Sequence, residues 1–255
     1  MTISTRLYRR SSPYMTRKLS RPVMDPLVLV REAIKKDILP KKLMNDVEKR
    51  MSYLEWAVKK VEKATGARYP VWYLTPLALL MQGPLGETAI LYARNHPIVS
   101  DGRGKKIVFA VEFTLPLHLY ASKETLLAVV AHEFTHYVEL ARRINRFELL
   151  SVETTSTVFE ARYRDVEEAL KPELVFGRHR SIVRLLREKF LGGLTDDALN
   201  SKTMKRWVER GMPVVRISPE ENVIRIPVEA LSRVELEPGL LKLIRRASEG
   251  EVSFF

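Results

Sequence analysis

Leu43, Val47, Met51, Leu54, Val58 and Val61 recur at three- and four-residue spacing, with Lys, Glu and Arg on the intervening positions. That is the period of a helix, and it predicts helix over residues 26–65 with Gly66 as its stop. The pattern changes beyond residue 68. Val71-Trp72-Tyr73-Leu74, Ala89-Ile90-Leu91-Tyr92-Ala93 and the run from Ile107 to Phe113 are short apolar stretches rich in β-branched and aromatic residues, and Ser100 to Gly104 is turn chemistry. Together they predict a small antiparallel sheet. Ser122 then stands where an N-cap belongs, before a long helix from Lys123 to about Ile144. Further helices are expected from about Ser151 to Leu170, ahead of Pro172, over Ser181 to Phe190, closed by Gly192-Gly193, and over Ser201 to Glu209. Val214 to Ile217 and Val223 to Ile226 read as a small hairpin, followed by a tail helix.

This order predicts an α+β chain: a small antiparallel or mixed sheet packed on the Lys123 helix and the helix after it, with additional helices at both ends. Residues 1–22 read as a tail, 23–191 as the main domain and 192–255 as a small C-terminal α/β extension. No internal repeat is visible.

Composition narrows the chemistry. The 255 residues are 45% hydrophobic and 29% charged, which suits a folded globular chain with a sizeable core. Cysteine is absent, so disulfides, a cysteine nucleophile and thiolate metal sites are excluded. Any metal must be held by His, Asp or Glu. Glutamine occurs only at Gln82 and asparagine five times, against 43 Lys+Arg and 31 Asp+Glu. That bias points to a thermophile's intracellular, cytoplasmic protein. The net charge of +12 is uneven: Arg6, Arg9, Arg10, Arg17, Lys18 and Arg21 precede the first acid, Asp25. The segment imitates a transit peptide but reads as a solvated tail, with a nucleic-acid or anionic-surface contact as the other use of its charge. The most apolar run, Val71 to Met81, is too short to span a bilayer.

The residues with the clearest chemistry lie inside the Lys123 helix: His132-Glu133-Phe134-Thr135-His136. Residues four apart on a helix share a face about 6 Å apart along the axis, so two imidazoles there can converge on one ion. Glu133 follows the first histidine, turned about 100° from it, which puts a carboxylate beside the ion rather than on it. Zinc lowers the pKa of a water molecule, and such a carboxylate can take the proton and pass it to a leaving amine. The chain has five histidines, and two of them take this spacing within a strongly apolar helix. Ionisable groups so close to a buried face need partners.

This H-E-x-x-H helix, following a sheet whose last strand is Ile107 to Phe113, resembles the zincin metallopeptidases over about residues 88–170. The resemblance implies Zn²⁺ held by His132 and His136, Glu133 as general base, and a peptide or protein substrate lying along a strand edge. Metzincins carry a glycine and a histidine where this chain has Glu139 and Arg142, so that subclass is excluded. The gluzincin pattern remains, in which a downstream helix supplies a glutamate. Glu153 and Glu160 are the candidates; a helix returning antiparallel from a turn near Phe147 sets residue 160 opposite residue 134 and favours Glu160. A water molecule or His179 completing the shell is the other reading. Thermolysin-like members carry an Asp four residues after the glutamate ligand; here Arg164 follows Glu160 and Thr157 follows Glu153, with Asp165 one residue displaced.

Tyr163 and His179 are candidate donors to the oxyanion of a tetrahedral intermediate, each with a plainer reading as a packing tyrosine and a basic-loop histidine. His118, between Leu117 and Leu119, reads as structural. The run Arg178, Arg180, Arg184, Arg187 and Lys189 reads as a solvated helix face. The expected activity is zinc-dependent peptide hydrolysis. The alternatives are an inactive zincin-type module that binds a partner or nucleic acid through its basic segments, and a latent enzyme whose cleft is covered by residues 26–65 or by the C-terminal part.

Overall fold

The computed structural model describes residues 25–82, 88–100, 106–145, 160–164, 169–190, 193–217, 223–227, 234 and 236–252, with the backbone alone at 82, 96–100, 106–107, 160–164, 223–227 and 250–252. Two helices stand where the sequence predicts one. Helix α1 (Val28–Lys35) and helix α2 (Leu43–Thr65) are parted by Asp37, whose φ of 54° lies in the left-handed region, and by Pro40. A left-handed residue ends a helix and a proline cannot continue one. The apolar period runs through the break because Val30, Ala33, Leu39 and Val47 are all buried in one core. Gly66 ends α2 as expected: its φ is 72° and its N–H bonds to the Glu62 carbonyl at 2.8 Å.

Five strands follow: β1 (Val71–Thr75), β2 (Ala78–Gln82), β3 (Thr88–Leu91), β4 (Ala93–Ser100) and β5 (Lys106–Thr114). The first sheet has the order β1-β5-β4, with β5 parallel to β1 and antiparallel to β4. It is therefore mixed, one of the two arrangements expected: the connection holding β2 to β4 is long enough for β5 to return beside β1 in the same direction. The last strand before the long helix is the central one, and β4 lies at the edge.

Strand β2 was not predicted as a separate element. It sits between β3 and β7 (Val214–Ile217), parallel to β7 with Ala78 opposite Val214. A third sheet joins β6 (Glu160–Arg164) to β8 (Val223–Pro227), antiparallel, with Glu160 opposite Pro227. The hairpin expected from residues 214–226 is thus absent, because its two strands pair with different partners. The helix expected over 151–170 is likewise corrected: 160–164 is extended. Glu-Ala-Arg-Tyr-Arg has good helix formers, but pairing with Val-Ile-Arg-Ile-Pro overrides that local preference. Residues 151–159 and 165–168 lie outside the described residues.

The remaining helices are α3 (Leu115–Tyr120), α4 (Lys123–Asn145), α5 (Pro172–Phe176), α6 (Arg180–Lys189), α7 (Asp197–Thr203), which runs on into a π-helical turn (Met204–Val208), and α8 (Pro238–Val252). Ser122 caps α4 as predicted, its Oγ accepting the Thr125 N–H at 2.9 Å. The short helix expected from Ser201 begins earlier, where Asp196 accepts the Leu199 N–H at 3.0 Å. Helix α4 is buried on nearly all sides, against α2, α5, α6, α8 and β4. One apolar cluster joins Leu54 and Val61 of α2, Phe134 and Val138 of α4, and the C-terminal Leu199, Trp207, Leu240 and Ile244. Among the described residues no helix is long and apolar enough to cross a membrane.

Candidate metal centre

The helix spacing brings His132 and His136 together: their Nε2 atoms are 3.1 Å apart, with ring centroids at 4.7 Å and planes at 87°. Two nitrogens bound to one tetrahedral zinc at 2.0–2.1 Å lie about 3.3–3.4 Å apart, so the pair is within a few tenths of an ångström of a two-point chelate. Burial, and secondarily the charge His136 would carry, push the His132 imidazole down to about 3. It is therefore a neutral ring at neutral pH, the form that offers a lone pair to a metal. Phe190, directly after α6, stacks on His132 at 3.8 Å with planes 13° apart. The stack covers a face of the imidazole and leaves its Nε2 edge toward His136. At 3.1 Å the two nitrogens are also within hydrogen-bond distance of each other, and with at least one ring held neutral the pair supplies two of the donors a zinc ion needs.

Glu133 is buried, at 6% exposure, on the adjoining face of α4. Its Oε2 accepts a hydrogen bond from Asn95 Nδ2 at 2.7 Å, and its backbone carbonyl accepts from the same nitrogen at 2.9 Å. Asn95 lies on β4 and is itself buried, at 2% exposure. Beneath this pair, the Tyr69 hydroxyl donates to the Val130 carbonyl at 2.9 Å and its ring stacks on Phe134. Burial, with the Glu133 charge adding to it, raises the Tyr69 hydroxyl well above its ordinary range, so it stays a neutral phenol. The sequence reading missed Asn95. Its signal was an amide at an inward strand position, in a chain poor in asparagine, where a buried polar group needs a partner.

The other predicted site residues are placed differently. Glu160 opens strand β6 rather than a returning helix, so the hairpin geometry that favoured it does not hold, and Tyr163 stands opposite Ile224 on the same strand. Arg164 ends that strand. Glu153, Thr157, Asp165 and the turn near Phe147 fall outside the described residues, as do residues 1–22. His179 is exposed at the start of α6. Phe190, which reaches His132, lies at the other end of this ten-residue helix, about 15 Å away along the axis, so His179 is not brought to the pair. Among the described residues no group of three or more His, Asp or Glu side chains assembles around an ion-sized space.

His118 is fully buried, its ring Nε2 at 2.9 Å from the Val47 carbonyl. Burial pushes it down to about 4, so it is a neutral core histidine. On α6, Arg180, Arg184 and Arg187 are exposed; Arg187 pairs with Glu173 at 2.6 Å and Arg184 with Glu188 at 3.6 Å, the solvated face the sequence predicts.

Compared with protein-family models, with curated proteins and with solved structures, the chain has no significant match.

Proposed function

We propose that this chain is a zinc-dependent metallopeptidase of the zincin type. The observation that carries the reading is the approach of His132 Nε2 and His136 Nε2 to 3.1 Å, with a buried carboxylate on the adjoining helix face at Glu133. A mixed sheet whose edge strand β4 lies against α4 supports the zincin-like reading of the fold. His132 and His136 would hold the ion, and the resemblance leaves Glu160 or Glu153 as the candidates for a third protein ligand. When bound, zinc supplies a Lewis acid for the peptide carbonyl and lowers the pKa of a water molecule.

The chain's own groups do the rest. Glu133 accepts a proton from the attacking water and delivers it to the departing amine, so one carboxylate serves as base and then as acid. Phe190 holds the His132 ring in place. The resemblance places an extended peptide along a strand edge, and β4, against α4, is an edge strand of its sheet. Water attacks directly, and no covalent enzyme intermediate is needed.

The test is hydrolysis of fluorescein-labelled casein by the full-length, zinc-loaded chain. In Glu133→Gln the zinc content stays near one per chain while turnover falls by about a hundredfold or more. Turnover that survives the substitution, or a zinc-loaded wild type with no turnover, contradicts the proposal.

A further inference from the structure

We infer that the groove between α2, α4 and α6, with the exposed face of α2 that leads into it, binds single-stranded nucleic acid: Tyr53 and Trp56 stack on unpaired bases, and Lys49, Lys60, Lys63 and Lys123 hold the phosphates. The inference does not depend on the metal site. It begins in the sequence of α2. At about 100° per residue, Lys49, Tyr53, Trp56, Lys60 and Lys63 fall within about 80° of one another around the helix. The acids that alternate with them in sequence, Glu55 and Glu62, lie along another line of the same helix. The stripe is therefore basic and aromatic, without an acid, over about 21 Å of helix. Lys49, Tyr53, Lys60 and Lys63 are exposed, and Trp56 is half-buried.

Trp56 forms one wall of a groove of about 360 Å³, lined also by Leu127 of α4 and Leu185 of α6. Lys123, the first residue of α4, sets its ammonium 4.4 Å from the centre of the Trp56 ring and 5.4 Å from that of Tyr53, and the Lys60 ammonium lies 4.9 Å from Trp56. Among the described residues these two lysines meet aromatic rings and form no ion pair. An exposed ammonium over a ring is a weak contact, weaker than a base stacked on the same ring. A base therefore takes the ring face, and the displaced ammonium turns to the phosphate beside it. Arg184 adds a cation to the groove, while Glu124 and Glu188 also line it, Glu188 at 3.6 Å from Arg184. With Lys49 and Lys63 the surface still carries five cations against those two acids, in a chain of net charge +12, so it complements a polyanion. The two rings decide which polyanion. A duplex keeps its base faces stacked inside, and an acidic peptide leaves the rings unused; a single strand engages both the rings and the lysines. At about 3.4 Å per nucleotide the stripe accommodates about six.

The experiment is a fluorescence-anisotropy titration of a fluorescein-labelled twelve-nucleotide oligothymidylate with the full-length chain. It compares wild type, the Lys60→Gln, Lys123→Gln double variant and Trp56→Leu, with Tm for each. Wild type is expected to bind, with Kd rising about tenfold between about 50 and 200 mM NaCl. A duplex of the same length should bind at least about fivefold more weakly. Each variant should lose about tenfold in affinity at the lower salt, and the lysine variant should also flatten the salt dependence. The lysine variant changes only exposed side chains, so it reads the surface even if Trp56→Leu lowers Tm. A wild type that does not bind the oligonucleotide overturns the inference. So does a lysine variant whose Kd stays within about twofold of wild type, since the contact then belongs elsewhere on the chain. A duplex bound as tightly as the single strand, or poly-L-glutamate that displaces the oligonucleotide at equal charge concentration, overturns it in favour of a general anion-binding face.

Discussion

At the scale of single residues, the chain holds two kinds of histidine that look alike in the sequence. His118 and His132 both sit among apolar neighbours, and burial keeps both neutral, at about 4 and about 3. They differ in what they face. His118 meets the Val47 carbonyl, whereas His132 meets another imidazole. His118 therefore serves the fold and carries a pH signature of its own. Its folded pKa lies below its unfolded value, so the unfolded chain binds the extra proton first as pH falls. Its contribution to stability is full above about pH 6.5 and is lost as pH falls toward 4. Between pH 7 and 4.5 that amounts to about 2–3 kcal/mol. Urea denaturation at the two pH values checks this: His118→Leu should lose that share of the pH dependence. A variant as acid-sensitive as wild type would contradict it.

At the scale of elements, local pattern was a good guide wherever the governing contacts are local. The long helix, its Ser122 cap, the Gly66 stop and the His132–His136 spacing all depend on residues within a turn or two of each other. The failures are elements decided at long range. Residues 160–164 carry helix-forming residues yet become a strand because β8 pairs with them. Strands β7 and β8 look like a hairpin but reach separately to β2 and β6. Asn95 meets Glu133, which lies a strand and two helices' worth of chain further on, a contact no local pattern announces. The element contacts are testable too. Arg50 of α2 donates from Nε to the His118 carbonyl at 2.6 Å and from its terminal nitrogen to the Ala121 carbonyl, holding the last carbonyls of α3 and the start of α4's entry turn. Arg50→Met keeps the alkyl stem and should lower stability by about 1.5–3 kcal/mol. An unchanged urea midpoint would show that solvent serves those carbonyls equally well.

At the scale of the whole molecule, the arrangement buries the motif helix under its neighbours and presents the chemistry along one side of it. Helices α2, α5, α6 and α8 enclose α4, β4 supplies Asn95 from the sheet, and Phe190 supplies the stack on His132 from the far end of α6. N-terminal and C-terminal segments share that core. At Gly239 a Cβ would collide with the Gly66 carbonyl, which closes α8 onto the end of α2. Within that surround His136 is held in the core, while His132 is half-buried with its ring stacked on Phe190. The proposed zinc site depends on that pair. Elemental analysis of the purified full-length chain after exposure to zinc and removal of excess tests it most directly, comparing wild type with the His132→Ala, His136→Ala double variant. Close to one zinc per chain is expected in wild type and close to none in the variant. A wild type that retains no zinc, or a double variant that retains as much as wild type, would contradict it.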